Sequence, residues 1–193
     1  MRRPKEHGEG STELVPASLV ERCKRGDEGA WKELVELTHR DVYSLCLRVL
    51  RDPDDAAEAT QDAYLKAWRG LKGFRGEAMF TTWLYRVAAN AAVSKLRRRT
   101  RRWQHETGAS DDVDIPAATD TEQEAGARLE LRAVEKALAQ LPDHYRSAVV
   151  LRDVYGFSID EIAQQQGVSE TAAKVRVHRG RRKLKAALYP ESE

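Results

Sequence analysis

The stretch Ser158-Ile159-Asp160-Glu161-Ile162-Ala163-Gln164-Gln165-Gln166-Gly167-Val168-Ser169-Glu170-Thr171-Ala172-Ala173-Lys174-Val175-Arg176-Val177-His178-Arg179-Gly180-Arg181-Arg182 decides how this chain is built. Ser158 with Glu161 three residues on is a capping-box pattern, in which each side chain satisfies the other residue's backbone N–H at the start of a helix. Ile162 and Ala163 give that helix an inward face, Gly167 makes a turn, and Val168 packs beneath it. Ser169 then caps a second helix, expected to reach about Leu188 and carrying Lys174, Arg176, His178, Arg179, Arg181, Arg182 and Lys183. A short helix, a glycine turn and a basic second helix fit a major groove and read bases from it. The pattern predicts a DNA-binding helix-turn-helix.

Upstream, Thr81 to Arg102 forms a second basic helical block, so DNA contact is expected at two separate places. The charge distribution agrees. Residues 1–102 hold 21 Lys/Arg against 15 Asp/Glu, residues 103–135 hold 2 against 9, and residues 136–193 hold 10 against 7. Two basic modules flank an acidic connector, an asymmetry that the overall charge of +2 hides and that points toward nucleic acid.

Length and composition bound the rest. A chain of 193 residues suffices for one domain or two small ones. Helix formers dominate, and 33% charged residues with a mean hydropathy of −0.65 suit small helical units with much solvated surface. No apolar run approaches a membrane span, and Met1 to Gly10 lacks the apolar segment of a secretory signal. No membrane insertion is expected, and the cytoplasm is the expected compartment. Cys23 and Cys46, the only cysteines, read as reduced and buried, and nothing has metal-ligand spacing. With no nucleophile–base pairing and no Gly-rich phosphate loop, neither an enzyme nor a cofactor is expected.

Helical periodicity orders the remainder. A short helix spans Ala17 to Arg25, and Asp27 caps a long one whose inward stripe is Trp31, Leu34, Val35, Thr38, Val42, Leu45, Cys46 and Val49. A third, from about Asp54 to Leu71, has the stripe Ala56, Ala59, Ala63, Leu65, Trp68 and Leu71, with Asp55, Glu58, Gln61 and Asp62 opposite. A fourth runs from about Phe80 to Arg101, burying Trp83, Leu84, Val87, Ala88, Ala91 and Leu96. Residues 103–123 read as a flexible acidic linker, and helix resumes near Glu124 with Leu129, Val134 and Leu138 inward. Pro142 suits the start of the next helix, which Gly156 ends. The expectation is an all-α protein of two small helical domains, 17–102 and 124–189, after a disordered tail at 1–16.

Several of these segments carry a family resemblance. The helix Asp54-Asp55-Ala56-Ala57-Glu58-Ala59-Thr60-Gln61-Asp62-Ala63-Tyr64-Leu65-Lys66-Ala67-Trp68-Arg69 resembles the polymerase-binding region 2 of bacterial RNA polymerase sigma factors. Phe74-Arg75-Gly76-Glu77 and Thr82-Trp83-Leu84-Tyr85-Arg86-Val87-Ala88 resemble the extracytoplasmic-function (ECF) subfamily. Leu141-Pro142, Leu151-Arg152-Asp153, Gly156-Phe157-Ser158, Glu161-Ile162-Ala163 and Lys174 to Arg179 resemble its region 4. Where the subfamily usually has Thr and a β-branched residue, this chain has Ala172 and Ala173.

The resemblance implies a protein that joins core RNA polymerase and directs initiation at chosen promoters. Asp55, Glu58, Gln61 and Asp62 would meet the β′ clamp helices, and the second domain would sit on the β flap. At the -10 element, Asn90 and Ser94 would read an extruded base, with Phe74, Arg75 and Met79 in the adjoining loop and Lys95, Arg97, Arg98 and Arg99 on phosphates. Trp83 and Tyr85 could stack on bases, although Trp83 fits the core better. At the -35 element, Arg152, Thr171, Lys174, Val175, His178 and Arg179 would face the major groove. Arg181, Arg182 and Lys183 would hold phosphates or pair with polymerase acids. An anti-sigma factor is the expected inhibitory partner. The competing reading, a helix-turn-helix regulator that binds DNA without polymerase, leaves residues 54–102 without a purpose.

Overall fold

The computed structural model describes residues 15–107 and 127–189. Helix α1 (Ala17–Lys24) opens against Pro16, whose carbonyl accepts from the N–H groups of Leu19 and Val20. Gly26, at φ 86°, turns the chain, and the Asp27 carboxylate caps α2 (Glu28–Leu50) by accepting from Ala30 N at 2.9 Å. Asp52 repeats the device for α3 (Pro53–Gly70), accepting from Asp55 N at 2.8 Å with Pro53 in the first turn, where its missing N–H costs nothing. A 3-10 turn at Leu71–Gly73 leads through a loop to α4 (Phe80–Thr107).

These helices form the first bundle. Leu34, Val42, Leu45, Cys46, Val49 and Leu50 of α2 are buried against Ala56, Ala59, Ala63 and Ala67 of α3 and against Leu84, Ala88, Ala89, Ala91, Ala92, Val93 and Leu96 of α4. Alanine rows let the α3 and α4 backbones approach closely, and this is the most extensive helix pairing in the molecule. One polar pair sits inside: the hydroxyls of Thr38 and Tyr64 meet at 2.8 Å.

The second bundle comprises α5 (Ala127–Ala139), α6 (Asp143–Val149), α7 (Ile159–Gln166) and α8 (Glu170–Leu188). Pro142 is the cap residue of α6, which runs on into a π-helical turn at Val150–Val154. Leu141, Ala148, Val149, Leu151, Phe157, Ile162, Ala173 and Val177 fill its interior.

Several expectations are corrected. Leu65 and Trp68 are 55% and 38% exposed, because the inward face of α3 follows positions 56, 59/60, 63/64 and 67, and both side chains fall off it. Trp83 and Val87 are only partly buried. Helix α4 does not stop near Arg101 but continues to Thr107, taking in the first five residues of the expected linker. Acidic composition does not end a helix, and no breaker occurs before Gly108. Val15 packs on the core, so order begins inside the expected tail. Residues 1–14, 108–123 and the Glu124 helix start lie outside the described residues. The buried side chains of the two bundles join in one continuous core.

Candidate nucleic-acid interface

The C-terminal helix-turn-helix is built as its sequence dictates. Ser158 Oγ accepts from Glu161 N at 3.1 Å while Glu161 Oε2 accepts from Ser158 N at 2.8 Å, completing the capping box. Gly167 ends α7 at φ 64°, the left-handed conformation that glycine adopts without strain. Ser169 caps α8, accepting from Ala172 N at 3.2 Å. The back of α8 is then fixed by Ala173, Val177 and Gly180, all buried. A Cβ on Gly180 would stand 2.6 Å from Val149 Cγ2 and 3.1 Å from the Tyr145 carbonyl, so only glycine permits α8 to lie this close to α6.

With that side buried, Thr171, Lys174, Val175, His178 and Arg179 fall on the opposite, exposed stripe at three- and four-residue steps. Five of the six expected -35 residues therefore share one face. Arg152 does not join them. Half-buried in the π-helical turn, it donates to the Phe157 carbonyl at 2.6 Å and braces the loop before α7. Arg181 pairs with Asp153 of the same turn.

The expected -10 residues form two groups. Asn90, Ser94 and Arg98 lie one turn apart along α4, with Asn90 and Arg98 exposed. Phe74, Arg75 and Met79 lie at the other end of the helix, about 15 Å away at 1.5 Å per residue. Arg75 and Met79 are exposed, whereas Phe74 packs with Phe80 and Trp83 at centroid distances of 5.4–5.5 Å. Tyr85 donates to Asp41 at 3.3 Å and meets Tyr155 edge-on, so its ring is committed internally. Lys95 is committed too, lying 3.2 Å from Asp55 and 2.5 Å from Glu58. Burial alone would lower its basicity, but the two carboxylates outweigh burial and raise it.

On α3, Glu58 and Gln61 are exposed, Asp62 is half-exposed, and Asp55 is held by Lys95 and Arg99. Beside this polar face lies an apolar groove of about 790 Å³ lined by Trp31, Val35, Tyr43, Tyr64, Leu65 and Trp68. Trp31 and Trp68 meet edge-on with centroids 4.9 Å apart. The residue-by-residue reading missed this groove. Its signal was available, because two large apolar side chains sit where α3's alanine row does not run.

Basic and aromatic surfaces on two helical bundles, one of them a capped helix-turn-helix, define a DNA-binding protein. The family models sharpen this. Sigma-70 region 2 matches residues 34–102, and sigma-70 region 4 matches residues 131–184. The RNA polymerase sigma-H factor of Pseudomonas aeruginosa is 35% identical over 186 residues, covering 93% of this chain and 96% of that one. The ECF sigma factor SigM of Mycobacterium tuberculosis H37Rv is 37% identical over 175 residues, covering 91% and 85%. Among solved structures, the sigma factor RpoE in complex with the anti-sigma factor NepR, from Bartonella quintana, superposes with a TM-score of 0.57 at 25% identity, covering 83% of this chain and 98% of that one. CnrH in complex with the cytosolic domain of CnrY gives 0.53 at 26% identity, covering 91% and 97%. The chain belongs to the sigma-70 family and to its ECF group. Sigma factors of this family are initiation factors, not enzymes. No described helix is long and apolar enough to cross a membrane.

Proposed function

We infer that this chain joins core RNA polymerase and selects promoters through two surfaces, its work being done in the cytoplasm. One observation carries the reading: region 2 and region 4 occur in order, and the exposed stripe Thr171, Lys174, Val175, His178 and Arg179 lies on the second helix of a fully capped helix-turn-helix. A groove-entering helix needs that arrangement, with one face buried to fix its angle and the other free for base edges. Arg179 is the residue suited to a bidentate contact with guanine, and Lys183 to a phosphate.

The first bundle serves the polymerase and the -10 element. Glu58, Gln61 and Asp62 present a polar row beside the Trp31–Trp68 groove, a combination suited to a partner helix with basic and apolar residues. Asn90, Ser94 and Arg98 form the strand-contacting row on α4, with Met79 and Arg75 at its far end. An anti-sigma factor is the protein inhibitor that would cover these faces, as NepR accompanies the similar sigma factor RpoE.

Run-off transcription with purified core polymerase, this protein and a pool of host promoter DNA tests the reading. Specific transcripts that vanish with the double substitution Glu58→Arg and Asp62→Arg support it. No transcript, together with tight duplex binding by the protein alone, would instead favour a stand-alone regulator.

A further inference from the structure

Beyond their shared core, the two bundles meet through specific polar contacts, several of them at the C-terminal end of α2. There the last turn leaves backbone carbonyls without helical partners. Arg99 of α4 donates through both terminal nitrogens to the Leu50 carbonyl at 3.2 Å, and reaches Asp55 at 3.1 Å and Asp143 of α6 at 3.0 Å. Arg146 of α6 is 2% exposed and donates to the Val49 carbonyl at 3.1 Å, to the Leu141 carbonyl and to Asp143. Two arginines, one from each bundle, thus cap the same helix end and share one carboxylate. Further along α4, Arg86 pairs with Glu161 of the α7 capping box at 2.5 Å, and Tyr85 packs on Tyr155. Arg48 donates to Tyr155 Oη at 3.1 Å, and Arg51 donates to the Glu135 carbonyl at 3.3 Å.

This arrangement leaves the polymerase-facing side of α3 open but crowds one side of the α8 stripe. Across a cleft of about 740 Å³, the Thr171, Val175 and Arg179 side of the α8 stripe faces Arg97, Thr100, Arg101 and Gln104 of α4. A duplex approaching α8 from that side would meet α4, whereas Lys174 and His178 lie outside the cleft. The same closure ties Arg99, expected on phosphates, to a carboxylate of the second bundle.

We propose that residues 132–189 dock on α2 and α4 as an intramolecular inhibitor, with Asp143 and Glu161 latching onto Arg99 and Arg86, and that this closed form must open before α8 engages promoter DNA. The proposal rests on the sigma-factor reading for its consequence, but not for its geometry. Closure is opposed by like charge, since Arg97 and Arg101 face Arg176 and Arg179 across the cleft, so the latch is poised to yield to a polyanion such as DNA. Interfaces between domains of one chain commonly permit relative motion.

Two measurements test it on the full chain. The first uses spin labels at the exposed positions Lys32→Cys and Lys185→Cys, with Cys23 and Cys46 buried. Distances are compared with and without Asp143→Asn plus Glu161→Gln, the latter keeping the capping acceptor. A short, single distance that broadens and lengthens in the double variant, with helix content unchanged, is expected. An unchanged distribution, or a separated one before substitution, overturns the latch. The second measurement joins Arg86→Cys to Glu161→Cys with a short bis-maleimide and assays run-off transcription. The joined protein should lose at least about tenfold in transcript, whereas the unjoined pair and the Asp143/Glu161 variant should match or exceed the parent by several-fold at limiting polymerase. Equal activity when joined overturns the proposal. Silence of the unjoined protein and the parent alike would count against the sigma-factor reading alone, and the distance measurement would still decide the latch.

Discussion

The guanidinium of Arg146 donates to the carbonyl of Val49 at 3.1 Å, across 97 residues of sequence. It is among the largest fully buried side chains, and burial lowers its basicity although Asp143 raises it. Replacing it by alanine leaves the Val49 and Leu141 carbonyls without this donor and a void in the core. Arg146→Ala should therefore cost about 3–5 kcal/mol in urea unfolding, while Arg146→Met, which restores volume, should cost distinctly less. Losses below about 1 kcal/mol for both would mean that the guanidinium holds nothing together.

Gly180 sets two effects against each other. Alanine is the better helix former by about 1 kcal/mol, but its methyl group would enter the space of Val149 and press on the Tyr145 carbonyl. Overpacking of about 1–3 kcal/mol wins because one of the two neighbours is backbone and cannot rotate away. Gly180→Ala should lower the melting temperature and, by tilting α8, weaken -35 DNA binding. A raised melting temperature would show that α6 and α8 have room to part.

On the exposed stripe of α8, two substitutions should separate reading from holding. Arg179→Ala should cost about 1–3 kcal/mol and relax specificity at one base pair. Lys183→Ala should weaken all sequences alike and reduce the salt dependence by about one counterion. Competition binding with promoter variants at three salt concentrations distinguishes them, and identical behaviour would remove the assigned difference in role.

Alkaline pH should loosen the first bundle. Burial pushes the Cys46 thiol from 9.0 to about 11, and burial pushes Tyr64 from 10.0 to about 12 although Thr38 pulls it back. Both folded values lie above the unfolded ones, so the associated stability is fully present below about pH 9 and is lost as pH rises through 9–11 for Cys46 and 10–12 for Tyr64. Each two-unit shift corresponds to at most about 2.7 kcal/mol. Urea midpoints should fall steeply between pH 9 and 10.5, and less so in Cys46→Ala. A flat profile would place both groups in water.

The fold was legible in the sequence wherever the signal was local. Asp27, Ser158 with Glu161, Gly167 and Ser169 each act over three or four residues, and each caps or turns where its residue type indicates. What escaped is non-local or composition-blind. Arg99 and Asp143 give no periodic hint that they meet, so a phosphate contact and a latch look alike in sequence. The five residues from Trp103 to Thr107 read as linker because they are poor in Lys and Arg, a property helices ignore. Leu65 and Trp68 were placed inward because large apolar residues usually are, and their phase on α3 was the better guide.

The alanine seam between α3 and α4 decides where this bundle can absorb change. Ala56, Ala63, Ala67, Ala88, Ala89 and Ala92 are completely buried, so a single added methylene there wedges two rods apart. Helix α4 carries Asn90, Ser94 and Arg98 as well as Arg99, and a wedge would displace all four together. In a saturation library selected for promoter activity, these positions would stand out as forbidden rungs on α3 and α4. Lys66 and Arg69, exposed between the rungs, would accept nearly any side chain.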